Sequence, residues 1–249
     1  MGVSEIVLVR HGQSLGNVAA EAAYRDKAER IDVPARDPDV DLSDTGVEQA
    51  QALGAWLASL PTDQQPDAVW SSPYVRAKRT AQEALATAKL DLPLRIDERL
   101  RDRDMGITDA LTAAGIAAKY PDEAARREWL DKFYYRPLGG ESWADMVLRI
   151  RSLLNDVEKV QDHQRLLISA HDVVILLFVY VAEDMTEETI LEKGRTDGVR
   201  NAAVTRIVRD EERFSRWRVV DYNLDTHLTD AGVTVTDQPG ASDEVGADA

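Results

Sequence analysis

Three short apolar runs in this chain end in the same abrupt way, and that pattern constrains its fold more than any other feature. Ile6-Val7-Leu8-Val9 runs into Arg10-His11-Gly12, Ala68-Val69-Trp70 into Ser71-Ser72-Pro73, and Leu166-Leu167-Ile168-Ser169 into Ala170-His171-Asp172. Continuous apolar runs of four residues or so, closed by polar groups, read as strands buried on both faces. Helical patterns lie between them. One has a Ser43 or Asp44 cap, carries Val47, Ala50, Leu53, Trp56 and Leu57, and stops before Pro61. Others follow Pro73 to about Lys89, follow the Ser142 cap (Met146, Ile150, Leu153, Leu154, Val157), and span Val173–Val181 as a buried helix. A helix and then a loop are expected within 21–41, a small strand at Leu94–Ile96, and a terminal hairpin from Ala203–Val208 and Trp217–Val220. Strands alternating with helices predict a three-layer α/β/α fold around a mostly parallel central sheet of about six strands. Residues 104–140 read as a helical insertion over the active-site edge of that sheet, with helical stretches at 110–120 and 122–132 and an aromatic turn at 133–140. Residues 1–229 form one domain in this reading. The Gly-, Pro-, Ser- and Asp-bearing stretch 230–249 reads as a disordered acidic tail.

The chemistry follows from where the polar groups fall. In open α/β sheets, ligands bind beyond the carboxyl ends of the strands. The first and third runs deliver Arg10, His11 and His171 to that edge, and Arg76 lies one turn into the helix after Pro73. A charge directly after a buried strand is expensive unless something there uses it. Converging arginines and helix N-termini make an anion site, and the planar guanidinium fork matches phosphoryl oxygens.

Composition narrows the partners. The chain of 249 residues carries 30 Lys and Arg against 45 Asp and Glu, a net charge of −15, so nucleic acid and anionic lipid are not expected partners. It has no cysteine and only four histidines, which excludes thiolate chemistry and leaves poor material for a metal centre. No basic leader or long apolar run opens the chain, so a cytoplasmic location without signal or membrane anchor is expected.

Five blocks, in order, are similar to those of a known family. Arg10-His11-Gly12-Gln13-Ser14 with Asn17, Ser71-Ser72-Pro73-Tyr74-Val75-Arg76, Leu100-Arg101-Asp102-Arg103-Asp104-Met105-Gly106, Gly139-Gly140-Glu141-Ser142 and Ala170-His171 resemble the histidine phosphatase superfamily, the phosphoglycerate mutase-like family, across roughly 6–207. The resemblance implies an enzyme that carries phosphate on His11, with Arg10, Asn17, Arg76 and His171 around the phosphoryl group and no metal or cofactor. It also implies a general acid at Asp102, where the family commonly has glutamate. Asp172 and Asp104 are the alternatives, and if Asp102 is the acid then Asp172 is a helix cap or a partner of His171. Gln13, Ser14, Tyr135, Arg136 and Glu141 are expected to contact substrate. His163 and His227, in polar stretches, are expected on the surface.

The expected function is phosphomonoester hydrolysis of a small phosphorylated metabolite. A phosphoglycerate mutase is the alternative, and a catalytically silent phosphate-binding regulator the second alternative. Ile116–Tyr120 and Trp129 resemble the mutases. Leu130 and Asp131, however, stand where the mutases place an arginine pair, and their following proline-rich stretch is replaced by 133–140. A homodimer is compatible with the chain but not dictated by it.

Overall fold

The computed structural model describes residues 2–33, 36–160 and 162–237. Its centre is a six-stranded sheet: β1 (Glu5–Arg10), β2 (Ala68–Ser71), β3 (Leu94–Ile96), β4 (Arg165–Ala170), β5 (Val204–Arg209) and β6 (Trp217–Leu224), in the order β3-β2-β4-β1-β5-β6. β1 pairs in parallel with β4, and β2 in parallel with both β3 and β4. β5 runs antiparallel to β1 and β6, so the final hairpin is the antiparallel part of a mostly parallel sheet.

Strand alternation sorts β1 between two cores. Ile6 and Leu8 join Leu166, Ile168 and Trp70 under α6 (Trp143–Val157) and α7 (Asp172–Ala182). Val7 and Val9 join Val69 and Leu167 under α2 (Asp44–Ser59) and α3 (Val75–Ala88). Burying both faces explains why these strands read as unbroken apolar runs. α4 (Ala113–Lys119) and α5 (Pro121–Tyr134) lie within the 104–140 segment. Among the described residues no helix is long and apolar enough to cross a membrane.

The register brings the functional strand ends level. Arg10 pairs with Ala170 and Ser71 with Ser169. The ladder continues one step further on both sides, His11 N donating to Ala170 O at 2.9 Å and Ser72 N to Ser169 O at 3.0 Å.

Two glycines then let the chain turn against α2. A Cβ on Gly12 would sit 2.4 Å from Gly46 O, and one on Gly46 would sit 2.0 Å from Gln13 O. Both obstructions are backbone, so neither can swing aside. Gly46→Ala is therefore expected to destabilise the protein by about 3 kcal/mol, the upper end for overpacking, and to displace the loop carrying His11. A fall in the urea midpoint together with loss of turnover checks this. An unchanged midpoint would mean that α2 can retreat from the loop.

Several elements differ from the sequence reading. α1 (Leu15–Arg25) starts earlier than the 21–41 stretch, because Ser14 and Asn17 form a capping box directly after the first strand's polar end. α8 (Glu187–Thr196) was not expected; its sequence is polar and only Ile190 is buried. Phe133 and Tyr134 complete α5 instead of opening a turn. His227 is not on the surface: in α9 (Thr226–Asp230) it is buried, with Nε2 3.1 Å from Ala202 O and its ring beside Trp56. Of the expected tail, residues 230–237 are part of the fold. Val233 and Val235 pack on Ala52, Ala202 and Leu228, and Gln49 Nε2 donates to Thr234 O at 2.8 Å. Residues 238–249 lie outside the described residues.

Candidate active site

β1 ends by placing His11, almost fully buried, where the chain leaves the sheet. His11 Nδ1 lies 2.7 Å from Gly12 O. A carbonyl only accepts, so that nitrogen carries the hydrogen and Nε2 keeps the lone pair. Burial, and then Arg76, His171 and Arg10, hold the His11 pKa well below its ordinary value of 6.5. The ring is therefore neutral at pH 7, as a nitrogen nucleophile requires. Its backbone is held as well: Asn201 Nδ2 donates to His11 O at 3.0 Å, and Gly12 N donates to Thr80 Oγ1 at 3.0 Å.

Two arginines and a second imidazole converge on this ring from three elements. Arg10, on β1, is buried and donates through Nη1 to Val199 O at 2.6 Å. Arg76, in the first turn of α3, is buried with its guanidinium carbon 4.9 Å from the Tyr74 ring centroid. Burial pulls the Arg76 pKa down, but Asp102 and Asp37 more than offset it and leave it raised. His171 is the N-cap residue of α7, its ring centroid 5.2 Å from that of His11. Its Nε2 lies 2.8 Å from Ser72 Oγ, while Nδ1, 3.3 Å from Asp102 Oδ2, makes no hydrogen bond. Burial first, then Arg76, Arg149 and Arg10, lowers its pKa well below 6.5. A buried polar nitrogen left without a partner costs about 1–3 kcal/mol, which an arriving phosphoryl oxygen can relieve.

The acidic groups separate by geometry. Asp102 Oδ2 accepts from Arg76 Nη2 at 3.1 Å and Oδ1 from Arg103 N at 2.8 Å, so this carboxylate bridges the cation cluster and the His171 ring. Asp172 instead accepts from Val199 N at 2.9 Å through Oδ1 and is half-buried at the start of α7. Burial raises its pKa, Arg10 opposing. With Arg10 on the carbonyl of Val199 and Asp172 on its N–H, the pair clamps one residue of the 197–203 segment. Asp104 accepts from Gly106 N at 2.9 Å in its own exposed turn.

The remaining expected contacts divide. Asn17 Oδ1 accepts from Ser14 N, Ser14 Oγ and Asn201 Nδ2, which leaves the Nδ2 end of its amide as the one able to donate to a phosphoryl group. Ser14 is taken up by the α1 cap, and Gln13 Oε1 accepts from Ser43 Oγ at 2.7 Å. Three expected substrate contacts are not placed as such. Tyr135 is buried with its hydroxyl donating to Glu123 at 2.9 Å. Arg136 pairs with Asp145 at the α6 cap. Glu141 binds Arg101 and Arg149, and Arg149 in turn donates to the carbonyls of Arg99 and Asp102. All three find their partners inside the protein, Glu141 half-buried and Arg136 at the surface. Glu141 thereby braces the backbone behind Asp102.

Sequence reasoning missed three groups at this site: Asn201, Thr80 and Asp37. Asp37, in the short 3-10 turn Asp37–Asp39, grips Arg76 with both carboxylate oxygens and its own carbonyl. No periodicity marks that turn, and its partner is 39 positions away.

Comparison with known proteins gives a consistent setting for this geometry. The sequence profile of the histidine phosphatase superfamily (branch 1) matches residues 6–225. A 2,3-bisphosphoglycerate-dependent phosphoglycerate mutase of Sinorhizobium fredii is 32% identical over 197 residues, covering 78% of this chain and 86% of its own length. The mycobacterial glucosyl-3-phosphoglycerate phosphatase, solved with VO3, superposes with a TM-score of 0.69 at 26% identity, over 90% of this chain and 100% of that one. The alpha-ribazole phosphatase of Shigella flexneri shares the fold, with a TM-score of 0.70 at 21% identity, over 88% of this chain and 96% of its own.

Proposed function

The chain belongs to the histidine phosphatase superfamily, branch 1, and from that membership we propose that it is a phosphomonoester hydrolase working through a phosphohistidine on His11. The observation that carries the reading is the 2.7 Å contact between His11 Nδ1 and Gly12 O, which leaves Nε2 as a neutral nucleophile among Arg76, His171 and Arg10. In the first step Nε2 forms a bond to phosphorus as the ester P–O bond breaks. The departing alkoxide takes a proton from Asp102. In the second step Asp102 takes a proton from water, whose oxygen attacks phosphorus, and the P–N bond breaks to release phosphate and restore His11. Arg10, Arg76 and His171, with the Asn17 amide, stabilise charge on the equatorial oxygens during both transfers.

A mutase is the second reading, favoured by the phosphoglycerate mutase at 32% identity. It requires a basic site for the glycerate carboxylate and a phosphohistidine kept from water. Leu130 and Asp131 at the end of α5, in place of an arginine pair, argue for hydrolysis.

Two assays on one preparation decide between them. In EDTA, p-nitrophenyl phosphate is expected to be hydrolysed at an undiminished rate. A coupled assay primed with 2,3-bisphosphoglycerate is expected to show no interconversion of 3- and 2-phosphoglycerate. Interconversion faster than phosphate release would give the protein to the mutases, and no turnover in either assay would make it a silent binder.

A further inference from the structure

Arg76 has four terminal N–H bonds to give, and the protein takes all of them. Nη1 donates to Asp37 O at 2.7 Å and to Asp37 Oδ1 at 2.9 Å, while Nη2 donates to Asp37 Oδ2 at 3.3 Å and to Asp102 Oδ2 at 3.1 Å. The Asp37 grip is the two-oxygen contact that a phosphoryl group makes on a guanidinium. A substrate phosphate reaching Arg76 therefore exchanges with this carboxylate. The exchange leaves Asp37 on the solvent side, because its side chain is 40% exposed against 5% for Arg76. The displaced group then stands at the mouth, beside whatever alcohol the phosphate is attached to.

Among the described residues, the other arginines near Asp37 in sequence or on α3 are paired with other carboxylates, Arg36 with Asp39 and Arg79 with Asp41. Asp37 lies within electrostatic reach of Asp102 and Asp109, and the Tyr74 hydroxyl feels Asp37, Asp102 and Asp104 together. The arginines behind Asp102 already have partners: Arg101 and Arg149 hold Glu141, and Arg103 donates to the carbonyls of Glu141 and Tyr135 at 2.8 Å each.

We infer that Asp37 is a specificity-determining residue. It admits phosphomonoesters whose alcohol carries hydroxyl or ammonium groups near the ester, and it rejects those bearing a carboxylate or second phosphate there. A hydroxyl or ammonium donates to the displaced carboxylate, whereas a second anion is repelled by it. The inference rests on the hydrolase reading above and deepens it by naming the leaving-group class.

The matched pair that tests it is glycerol 3-phosphate and 3-phosphoglycerate, which differ by a hydroxymethyl group against a carboxylate. At the effective dielectric of a partly buried site, one unit charge a few ångströms away is worth about tenfold or more in binding. The wild-type protein is accordingly expected to favour glycerol 3-phosphate by about tenfold or more in kcat/KM, and Asp37→Asn, which keeps shape and loses charge, to bring the two within about threefold. The ratio corrects itself for any general loss of folded protein. Equal kcat/KM for the pair in the wild type, or an unchanged ratio in Asp37→Asn, overturns the assignment. Calorimetric titration of both ligands into His11→Ala, with and without Asp37→Asn, reads the same preference without turnover. Failure of the hydrolase reading would appear as absent p-nitrophenyl phosphate hydrolysis, while failure of the Asp37 assignment would appear as equal binding of the pair.

Discussion

His11→Ala is expected to abolish p-nitrophenyl phosphate hydrolysis, with a loss of about a thousandfold or more, because removing a covalent nucleophile removes the reaction path and not one stabilising contact. The cradle should survive. Arg10 is held by Val199 O, Arg76 by Asp37 and Asp102, and His171 by Ser72, none of them through the His11 ring. Inorganic phosphate should still inhibit or bind the variant within about an order of magnitude of the wild type, each lost neutral contact being worth about 0.5–1.5 kcal/mol. A second readout is chemical. Wild-type protein quenched during turnover of labelled substrate should carry acid-labile, base-stable label, and His11→Ala none. Label that persists in the variant would transfer the nucleophile to another residue, and retained turnover would end the phosphohistidine reading altogether.

The second large effect belongs to Asp102, and it depends on the leaving group. Asp102→Asn keeps one acceptor oxygen, for either Arg76 Nη2 or Arg103 N, and can neither give nor take a proton, so a loss of about 10²–10⁴ in kcat is expected for glycerol 3-phosphate. p-Nitrophenolate leaves without protonation, so with that substrate the first step survives. The attack of water then becomes slow, and phosphohistidine should accumulate as a burst of one product equivalent. Asp172→Asn is the informative comparison. It weakens the bond that Asp172 makes to Val199 N at 2.9 Å, beside the residue that Arg10 also holds. Its effect should therefore fall on all substrates alike and be accompanied by a lower Tm. If Asp172→Asn shows the leaving-group dependence and Asp102→Asn does not, the acid has been assigned to the wrong aspartate.

Much of this arrangement was legible in the sequence because it is written in strand ends. Parallel pairing with matched register is enough to bring Arg10, His11, Ser72 and His171 together once the three runs are recognised as neighbours. The rest depends on contacts distant in sequence and with no local signature. Glu141 and Arg136 are charged residues in a loop near the site, which suggests contact with substrate, yet their actual partners, Arg149, Arg101 and Asp145, are decided by packing. Asp37 is one aspartate among several in a polar stretch until the fold sets it against Arg76. His227 looked solvated from its neighbours, and only the approach of Trp56 and Ala202 buries it. Val233 and Val235 are too few and too dispersed to overrule a tail-like composition, although two side chains suffice to seat the segment on α2.

That seated segment has a mechanical consequence. Thr236 Oγ1 donates to Asn201 Oδ1 at 2.9 Å, and the same Asn201 amide donates through Nδ2 to the carbonyl of His11 at 3.0 Å. One side chain thus couples the far end of the described polypeptide to the peptide unit of the nucleophile, like a short linkage between a handle and a bearing. Traction on residues 233–237, whether from a fused tag, a cleavage or a bound molecule, would be transmitted across two hydrogen bonds to the His11 carbonyl, one peptide unit before the Gly12 oxygen that orients the imidazole.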